Sequence, residues 1–79
     1  MNIMDNLAEA LELHLIDKKN IYLLPEVIKV LGYYRDSLKK DDKVNSEYLF
    51  KVLYDGYSGY FETGYLFSII INIDKLSFC

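Results

Sequence analysis

The sequence predicts an all-α fold, a small single-domain bundle of about four helices that spans residues 1–79. Three observations support this prediction. Apolar residues recur at the helical spacing of i, i+3, i+4 and i+7 in three separate stretches. Clusters of charged residues, asparagine and glycine separate these stretches and predict loops. The most apolar run of the chain, Tyr65–Ile73, continues a helical spacing as far as Leu76.

The first helix is predicted from Met4 to Ile16, with Asn2 or Asp5 as its N-cap. Its apolar residues share one side of the helix: Met4, Leu7, Ala8, Leu11, Leu15 and Ile16. The opposite side carries acidic residues with no basic residue among them, which are Asp5, Glu9 and Glu12. Such an acidic side is typical either of a solvated surface or of a contact for a basic partner.

The second helix is predicted to begin near Pro25, because proline suits the first turn, where its missing N–H would have no partner anyway. Before it, Asp17–Asn20 break the apolar pattern and predict a loop. The buried side of the helix is predicted to hold Leu24, Val27, Ile28, Leu31, Tyr34 or Arg35, and Leu38. Gly32 within it is expected to admit a close helix neighbour. The charged run Lys39–Lys43 predicts a solvated connection to the next helix.

A third helix is predicted after this connection, with Asn45 or Ser46 as its N-cap. Its inward side is predicted to hold Tyr48, Leu49, Val52, Leu53 and Tyr57. Glycines at positions 56 and 59 are strong turn signals, so we expect this helix to end between Tyr54 and Ser58.

The C-terminal run fits two periods. The helical stripe consists of Leu66, Ile69, Ile70, Ile73 and Leu76, whereas an alternating strand face would consist of Phe67, Ile69, Ile71 and Ile73. We favour the helix, because the helical stripe extends further and no second run of comparable quality is available as a partner strand. The alternative is an α+β fold in which Tyr57–Phe61 pairs with Tyr65–Ile71 as a C-terminal β-hairpin.

Charge and hydropathy weigh against two classes of partner. A net charge of −3 and a pI near 4.9 lack the basic surface that nucleic-acid binding requires, so a nucleic-acid partner is not expected. The uncharged stretch between Glu62 and Asp74 is shorter than the roughly 20 apolar residues of a membrane-spanning helix.

Asp5 and Glu9 precede the first basic residue, Lys18, unlike the start of a secretory signal. These features predict a cytoplasmic location, which is the host cytoplasm if a phage encodes the chain.

Residue types and spacing predict no catalytic, cofactor or metal site. His14 is the single histidine, and Asp17 is its nearest candidate partner, so we favour a packing or surface position over a general base. Cys79 is the single cysteine, so a thiolate metal site is not expected. Paired carboxylates are common in the chain, but so small a domain is expected to leave little room for a pocket of about 300 Å³ or more around them. A non-enzymatic protein is therefore predicted.

An aromatic segment between Tyr54 and Phe67 is the most unusual feature of the chain. Its candidate contact residues are Tyr54, Tyr57, Tyr60, Phe61 and Tyr65. Tyrosine is enriched in interface hot spots, because it is large, loses little rotamer freedom and keeps a polar tip. The alternative is that these rings fill a small core. With the acidic residues Asp5, Glu9 and Glu12, they form the predicted partner-binding surface.

We interpret the chain as a non-enzymatic protein-binding module. Its abundance of Asn, Ile and Lys is typical of a low-GC bacterium or its phage. The leading hypothesis is a phage- or mobile-element-encoded inhibitor of a host process or defence enzyme, or the immunity partner of a toxin, which acts by occupying the surface of a host or cognate protein. One alternative is a DNA-binding transcriptional regulator with Pro25–Lys40 as its recognition helix. Another is a homodimeric assembly subunit that buries Tyr65–Ile73 against its own copy.

Overall fold

Within residues 3–77 the chain forms four α-helices, which are α1 (Ile3–Leu13), α2 (Leu24–Lys39), α3 (Lys43–Tyr57) and α4 (Tyr65–Ser77). Two short 3₁₀ helices, Lys18–Leu23 and Ser58–Tyr60, lie in the connections. The computed structural model describes the backbone of residues 3–77 and the side chains of residues 7–74. The predicted all-α bundle is confirmed, and the alternative C-terminal hairpin is wrong. Across the described backbone, β pairing is limited to an isolated antiparallel bridge between Leu15 and Phe61.

Some sequence-based expectations fall on residues beyond this range. The capping role of Asn2 and the position of Cys79 lie outside the described residues. The side chains of Met4, Asp5 and Leu76 lie outside them as well, so their predicted apolar or acidic contacts stay predictions.

The second helix, α2, lies at the centre of the bundle and contacts α1, α3 and α4. Val27 and Leu31 on this helix are completely buried, and Tyr34 is nearly so. They belong to one apolar core with residues of the other helices: Leu11, Leu15, Leu24, Leu49, Leu53, Phe61, Leu66, Ile69, Ile70 and Ile73. The predicted buried side of α2 is therefore confirmed. The expectation for Gly32 is wrong, because a Cβ atom built there meets no atom of the described chain within 4 Å.

The C-terminal run is helical, as predicted. Leu66, Ile69, Ile70 and Ile73 are all buried, whereas Phe67 is 40% exposed and Ile71 is only half-buried. Gly64 has a φ of 74°, and the N–H of Tyr65 donates to the carbonyl of Glu62. The glycine therefore makes the turn that starts α4. A partner strand is missing because residues 57–60 belong to the end of α3 and the second 3₁₀ helix.

The start of α3 differs from the prediction. Asp42 is the N-cap, and its Oδ1 accepts a hydrogen bond from the backbone N–H of Asn45 at 3.1 Å. Ser46 instead lies buried inside the helix, where its hydroxyl donates to the carbonyl of Lys43. Tyr48, which was predicted to face inward, is 64% exposed. The helix ends at Tyr57, as predicted, with Gly56 still inside it.

The end of α1 also differs, because the helix stops at Leu13 rather than continuing to Ile16. Leu15 is buried in the bridge with Phe61, and Ile16 is 65% exposed rather than part of a buried stripe. The segment predicted as a loop forms the 3₁₀ helix Lys18–Leu23, which Asp17 caps by accepting from the N–H of Lys19 at 3.0 Å. Helical spacing in the sequence could not show that α1 ends at Leu13, because Leu15 is buried whether the chain continues as a helix or leaves it.

Candidate apolar groove

A groove with a volume of about 620 Å³ lies between α3 and α4. It is lined by Ile16, Phe50, Tyr54, Ser58, Gly59, Phe61, Thr63, Gly64, Leu66 and Phe67. No carboxylate lines the groove, so the expectation of little room for a pocket around paired carboxylates stays a prediction. Phe50, Tyr54 and Ser58 follow one another at i, i+4 and i+8, which places them along one side of a helix and its C-cap.

The groove has a buried floor and exposed aromatic walls. Phe61 and Leu66 form the floor, with 2% and 1% of their surfaces exposed. Tyr54 on α3 and Phe67 on α4 are 47% and 40% exposed. The ring of Phe67 stands edge-on to Tyr54 at 6.0 Å and to Phe50 at 6.1 Å, whereas Phe50 and Tyr54 are parallel. These distances and angles suit favourable aromatic pairs, so the three rings pack together as one aromatic cluster in the lining of the groove.

A backbone junction between the α1 exit and the segment before α4 holds two of the residues that line the groove, Ile16 and Phe61. The N–H of Ile16 donates to the carbonyl of Tyr60, and the N–H of Glu62 donates to the carbonyl of His14, each at 3.0 Å. These two bonds frame the bridge between Leu15 and Phe61. The junction fixes Ile16 and Phe61 relative to each other, and both residues line the groove.

His14 reinforces this junction with its side chain. Its Nδ1 lies 2.8 Å from Oε2 of Glu62, and its ring stacks on Tyr65 at 3.8 Å with an interplanar angle of 15°. The sequence suggested Asp17 as the nearest partner, but Asp17 caps the first 3₁₀ helix instead. These contacts pack the His14 ring between Glu62 and Tyr65, and the expectation that His14 is not a general base stays a prediction.

The groove offers apolar surface and hydroxyl groups. Every residue that lines it is uncharged, and its polar side chains are those of Tyr54, Ser58 and Thr63. Ser58 donates its hydroxyl to the carbonyl of Tyr54. Among the described residues, no group of three or more His, Cys, Asp or Glu side chains is placed to hold a metal ion. The uncharged and mostly apolar lining of the groove suits the burial of apolar groups.

Three tyrosines of the predicted surface lie outside the groove lining, and two of them, Tyr57 and Tyr65, have a raised pKa. Burial raises the pKa of Tyr57, and a hydrogen bond with Glu26 adds to the effect. Burial also raises the pKa of Tyr65, with a further contribution from the charge of Glu62. Both phenols are partly buried against the core.

The structure separates the predicted contact residues into three groups. Tyr54 lines the groove with an exposed ring, whereas Phe61 is its buried floor and cannot reach a partner directly. Tyr57, Tyr60 and Tyr65 are not among the lining residues, although Tyr60 is 38% exposed. Glu9 and Glu12 are exposed on α1, and the side chain of Asp5 lies outside the described residues.

Sequence reasoning missed Phe50 as part of the site, whereas Phe67 belongs to the predicted aromatic segment. A signal for Phe50 was present, because Phe50 and Tyr54 are an i, i+4 aromatic pair on a predicted helix. Phe67 lies off the buried stripe of α4, and its ring is partly exposed in the lining of the groove. The glycines at positions 59 and 64 gave only turn signals, and their place in the groove depends on the tertiary fold.

The fold and the groove together define a small helical bundle with an apolar cleft. Comparison with known protein families, curated proteins and solved structures found no match. No helix in the described part of the chain is both long and apolar enough to cross a membrane.

Proposed function

We propose that this protein is a non-enzymatic protein-binding module that occupies a partner surface through the groove between α3 and α4. The observation that carries the proposal is the combination of a groove of about 620 Å³ with an uncharged lining and two exposed aromatic residues that contact each other, Tyr54 and Phe67. Hot spots of protein interfaces are enriched in aromatic residues that are buried on binding. Exposed apolar surface of this kind is also typical of interaction sites.

The acidic side of α1 supports a second contact with a basic surface. Glu9 and Glu12 are exposed on this helix, and the chain continues from it to Ile16, which lines the groove. Complementary charge at the edge of an interface speeds association and favours the correct partner. We propose that Glu9 and Glu12 contribute to the rate of binding, while the groove provides affinity.

The partner in this proposal is a host or cognate protein. Composition supports a phage- or mobile-element-encoded inhibitor of a host process or defence enzyme, or a toxin-immunity partner, acting in the cytoplasm of that cell. Such a protein needs no catalytic residues, because occupying a surface is sufficient for inhibition. The uncharged lining of the groove is consistent with this mode of action.

Capture from a host lysate tests the proposal. We expect the wild-type chain to retain one protein in stoichiometric amount, and a Tyr54→Ala/Phe67→Ala double variant to lose it. Tyr48→Ala is the matched control, because Tyr48 is a more exposed aromatic residue of α3 outside the groove. Circular dichroism confirms that each variant is folded. Failure to capture a partner, or equal capture by all three proteins, would contradict the proposal.

A homodimer is the second candidate. It is favoured by large apolar side chains that are at least 38% exposed on the described surface, including Leu13, Ile16, Tyr22 and Val44. A self-associating chain would bury part of this surface against its own copy, rather than the run Tyr65–Ile73, whose residues Leu66, Ile69, Ile70 and Ile73 are already buried in the core. Light scattering at micromolar concentration decides between a monomer and a dimer.

The DNA-binding alternative has less support. The proposed recognition helix, α2, packs against the three other helices, and its exposed side mixes Glu26 and Asp36 with Lys29. Arg35 is partly buried and lies 3.7 Å from Asp36. A gel-shift series at low salt tests this alternative, since phosphate contacts would give binding that weakens steeply between about 50 and 200 mM salt.

A further inference from the structure

The side chain of His14 joins the end of α1 to the start of α4. Its Nδ1 lies 2.8 Å from Oε2 of Glu62, 48 positions further along the chain, and its ring stacks on Tyr65 at 3.8 Å. Of the two acid–base side-chain pairs in the described part of the chain, this is the one that joins distant segments, since Arg35 and Asp36 are neighbours in sequence. We call the side chains of His14, Glu62 and Tyr65 the clasp.

The clasp adds side-chain contacts to a backbone link between the same two segments. The N–H of Glu62 donates to the carbonyl of His14, and the N–H of Ile16 donates to the carbonyl of Tyr60, each at 3.0 Å. Elsewhere α1 packs mainly against α2. A change that strengthens or weakens the clasp therefore acts on the attachment of the α1 exit to the segment before α4.

The surroundings of the His14 ring favour a positive charge on it. A carboxylate within hydrogen-bond distance binds an imidazolium more strongly than a neutral imidazole, because the hydrogen bond becomes charge-assisted. The face of the Tyr65 ring attracts a cation stacked on it. His14 also directly follows α1, whose last carbonyls carry partial negative charge. Its side chain is 36% exposed, so the charged ring keeps contact with water and its desolvation cost is limited.

The imidazole is the group of the clasp that titrates near neutral pH. Imidazole ordinarily changes charge between about pH 5 and 8, whereas carboxyl groups do so near about pH 4 and phenols near about pH 10. An opposing positive charge comes from Lys18, whose Nζ is bonded to the carbonyl of Glu12 at the end of α1. The charged and titratable groups around the ring are therefore Glu62 before α4, Tyr65 on α4, and Glu12 and Lys18 on its own side of the junction.

We propose that the clasp is a pH-sensitive device that tightens when His14 gains a proton in mild acid and loosens as the pH rises through the neutral range. The closed clasp binds the proton more strongly than the open one, so protonation favours the closed state and this advantage is lost at higher pH. Both members of the acid–base pair are partly exposed, so we expect the effect of a surface ion pair, about two- to fivefold in the equilibrium between the closed and open clasp. Ile16 and Phe61 lie at the same junction and line the groove, so mild acid steadies that part of the lining.

Amide hydrogen exchange of the full-length chain, followed by NMR, tests the device. The N–H groups of Ile16 and Glu62 are bonded across the junction, so their protection from exchange reports how often it opens. After correction for the pH dependence of exchange itself, we expect their protection to be about two- to fivefold higher at about pH 5.5 than at about pH 7.5. The N–H of Lys40, which donates to the carbonyl of Asp36 at the end of α2, is the internal control and should keep the same protection. His14 is the single histidine, so its ring signals report its protonation in the same samples.

A variant without the charge of Glu62 identifies the carboxylate as the cause. Glu62→Gln keeps an acceptor oxygen for His14 but removes the negative charge, so the protection of the Ile16 amide should lose most of its pH dependence. Glu47→Gln makes the same change at an exposed residue of α3 and should retain that dependence. The proposal is overturned if protection in the wild-type protein is equal at both pH values while the His14 ring titrates, if it falls in acid, or if Glu62→Gln retains the full pH dependence. These results do not depend on a partner in the groove, so the proposed function stands or falls separately on the lysate capture.

Discussion

The hydroxyl of Tyr34 on α2 donates a 2.5 Å hydrogen bond to Oδ1 of Asp74 on α4. The two residues are 40 positions apart in the sequence, and Tyr34 is only 4% exposed. A buried hydroxyl needs a partner, and a carboxylate acceptor makes the bond stronger than a neutral one. This bond therefore fixes α4, which forms one wall of the groove, against the central helix.

Tyr34→Phe should lower the free energy of unfolding by about 1.5–3 kcal/mol, because it removes a hydrogen bond to a charged group and leaves the carboxylate without this donor. Urea denaturation followed by circular dichroism measures the change. Asp74→Asn keeps an acceptor oxygen, so we expect it to cost less than Tyr34→Phe. Equal stability of Tyr34→Phe and the wild-type protein would show that the bond does not stabilise the fold.

Stability should decrease in alkaline solution. Burial raises the pKa of Tyr34 above its usual value of 10.0, and the hydrogen bond and charge of Asp74 raise it further; burial also raises the pKa values of Tyr57 and Tyr65. Above about pH 10 the unfolded chain loses these protons first, so the folded state binds more protons and the free energy of unfolding falls as the pH rises. Denaturation at about pH 9 and about pH 11 should show the loss.

Tyr34→Phe should reduce this alkaline loss, since a phenylalanine cannot ionise. Tyr48→Phe is the control, because Tyr48 is 64% exposed. We expect the control to retain the full pH dependence of the wild-type protein. If the free energy of unfolding has the same pH dependence in both variants, ionisation of Tyr34 does not explain the alkaline loss of stability.

The burial of α4 predicts opposite outcomes for two neighbouring isoleucines. Ile70 is completely buried, whereas Ile71 is half-buried. Ile70→Asp should unfold the protein, because an unpaired charge in the core costs several kcal/mol, about as much as the total stability of a small domain. Ile71→Asp should remain folded, as judged by circular dichroism. A folded Ile70→Asp beside an unfolded Ile71→Asp would contradict the helical packing of this segment.

The main helices could be predicted because each carries an apolar stripe that is also its buried side. In α4 the apolar stripe is continuous, and all four of its described residues are buried in the folded protein: Leu66, Ile69, Ile70 and Ile73. Local boundaries were less predictable. Asp42 rather than Ser46 caps α3, because the helix begins earlier and buries Ser46. Several residues in that stretch are good caps, and only the packing of the helix decides among them.

The groove could be predicted only in part, since its residues come from distant parts of the chain. An aromatic surface was expected, and Tyr54 belongs to it, but the sequence could not show that Phe61 pairs with Leu15 and becomes the floor. The contact of His14 with Glu62, 48 residues away, was equally hidden. Periodicity describes each helix alone, whereas a groove depends on how two helices and a loop meet.

Two glycines should respond to alanine in opposite directions. Gly32 lies in the middle of α2 with open space around a Cβ atom, so Gly32→Ala should raise the free energy of unfolding by about 0.5–1 kcal/mol through lower backbone entropy in the unfolded chain. Gly64 has a φ of 74°, so Gly64→Ala should lower it by about 1–2 kcal/mol although the space is open there too. Urea denaturation measures both changes. Both sites are free of steric contacts within 4 Å of a Cβ atom, so opposite signs of the change in the free energy of unfolding would identify the backbone conformation as the cause. Stabilisation by Gly64→Ala would contradict the left-handed turn that starts α4.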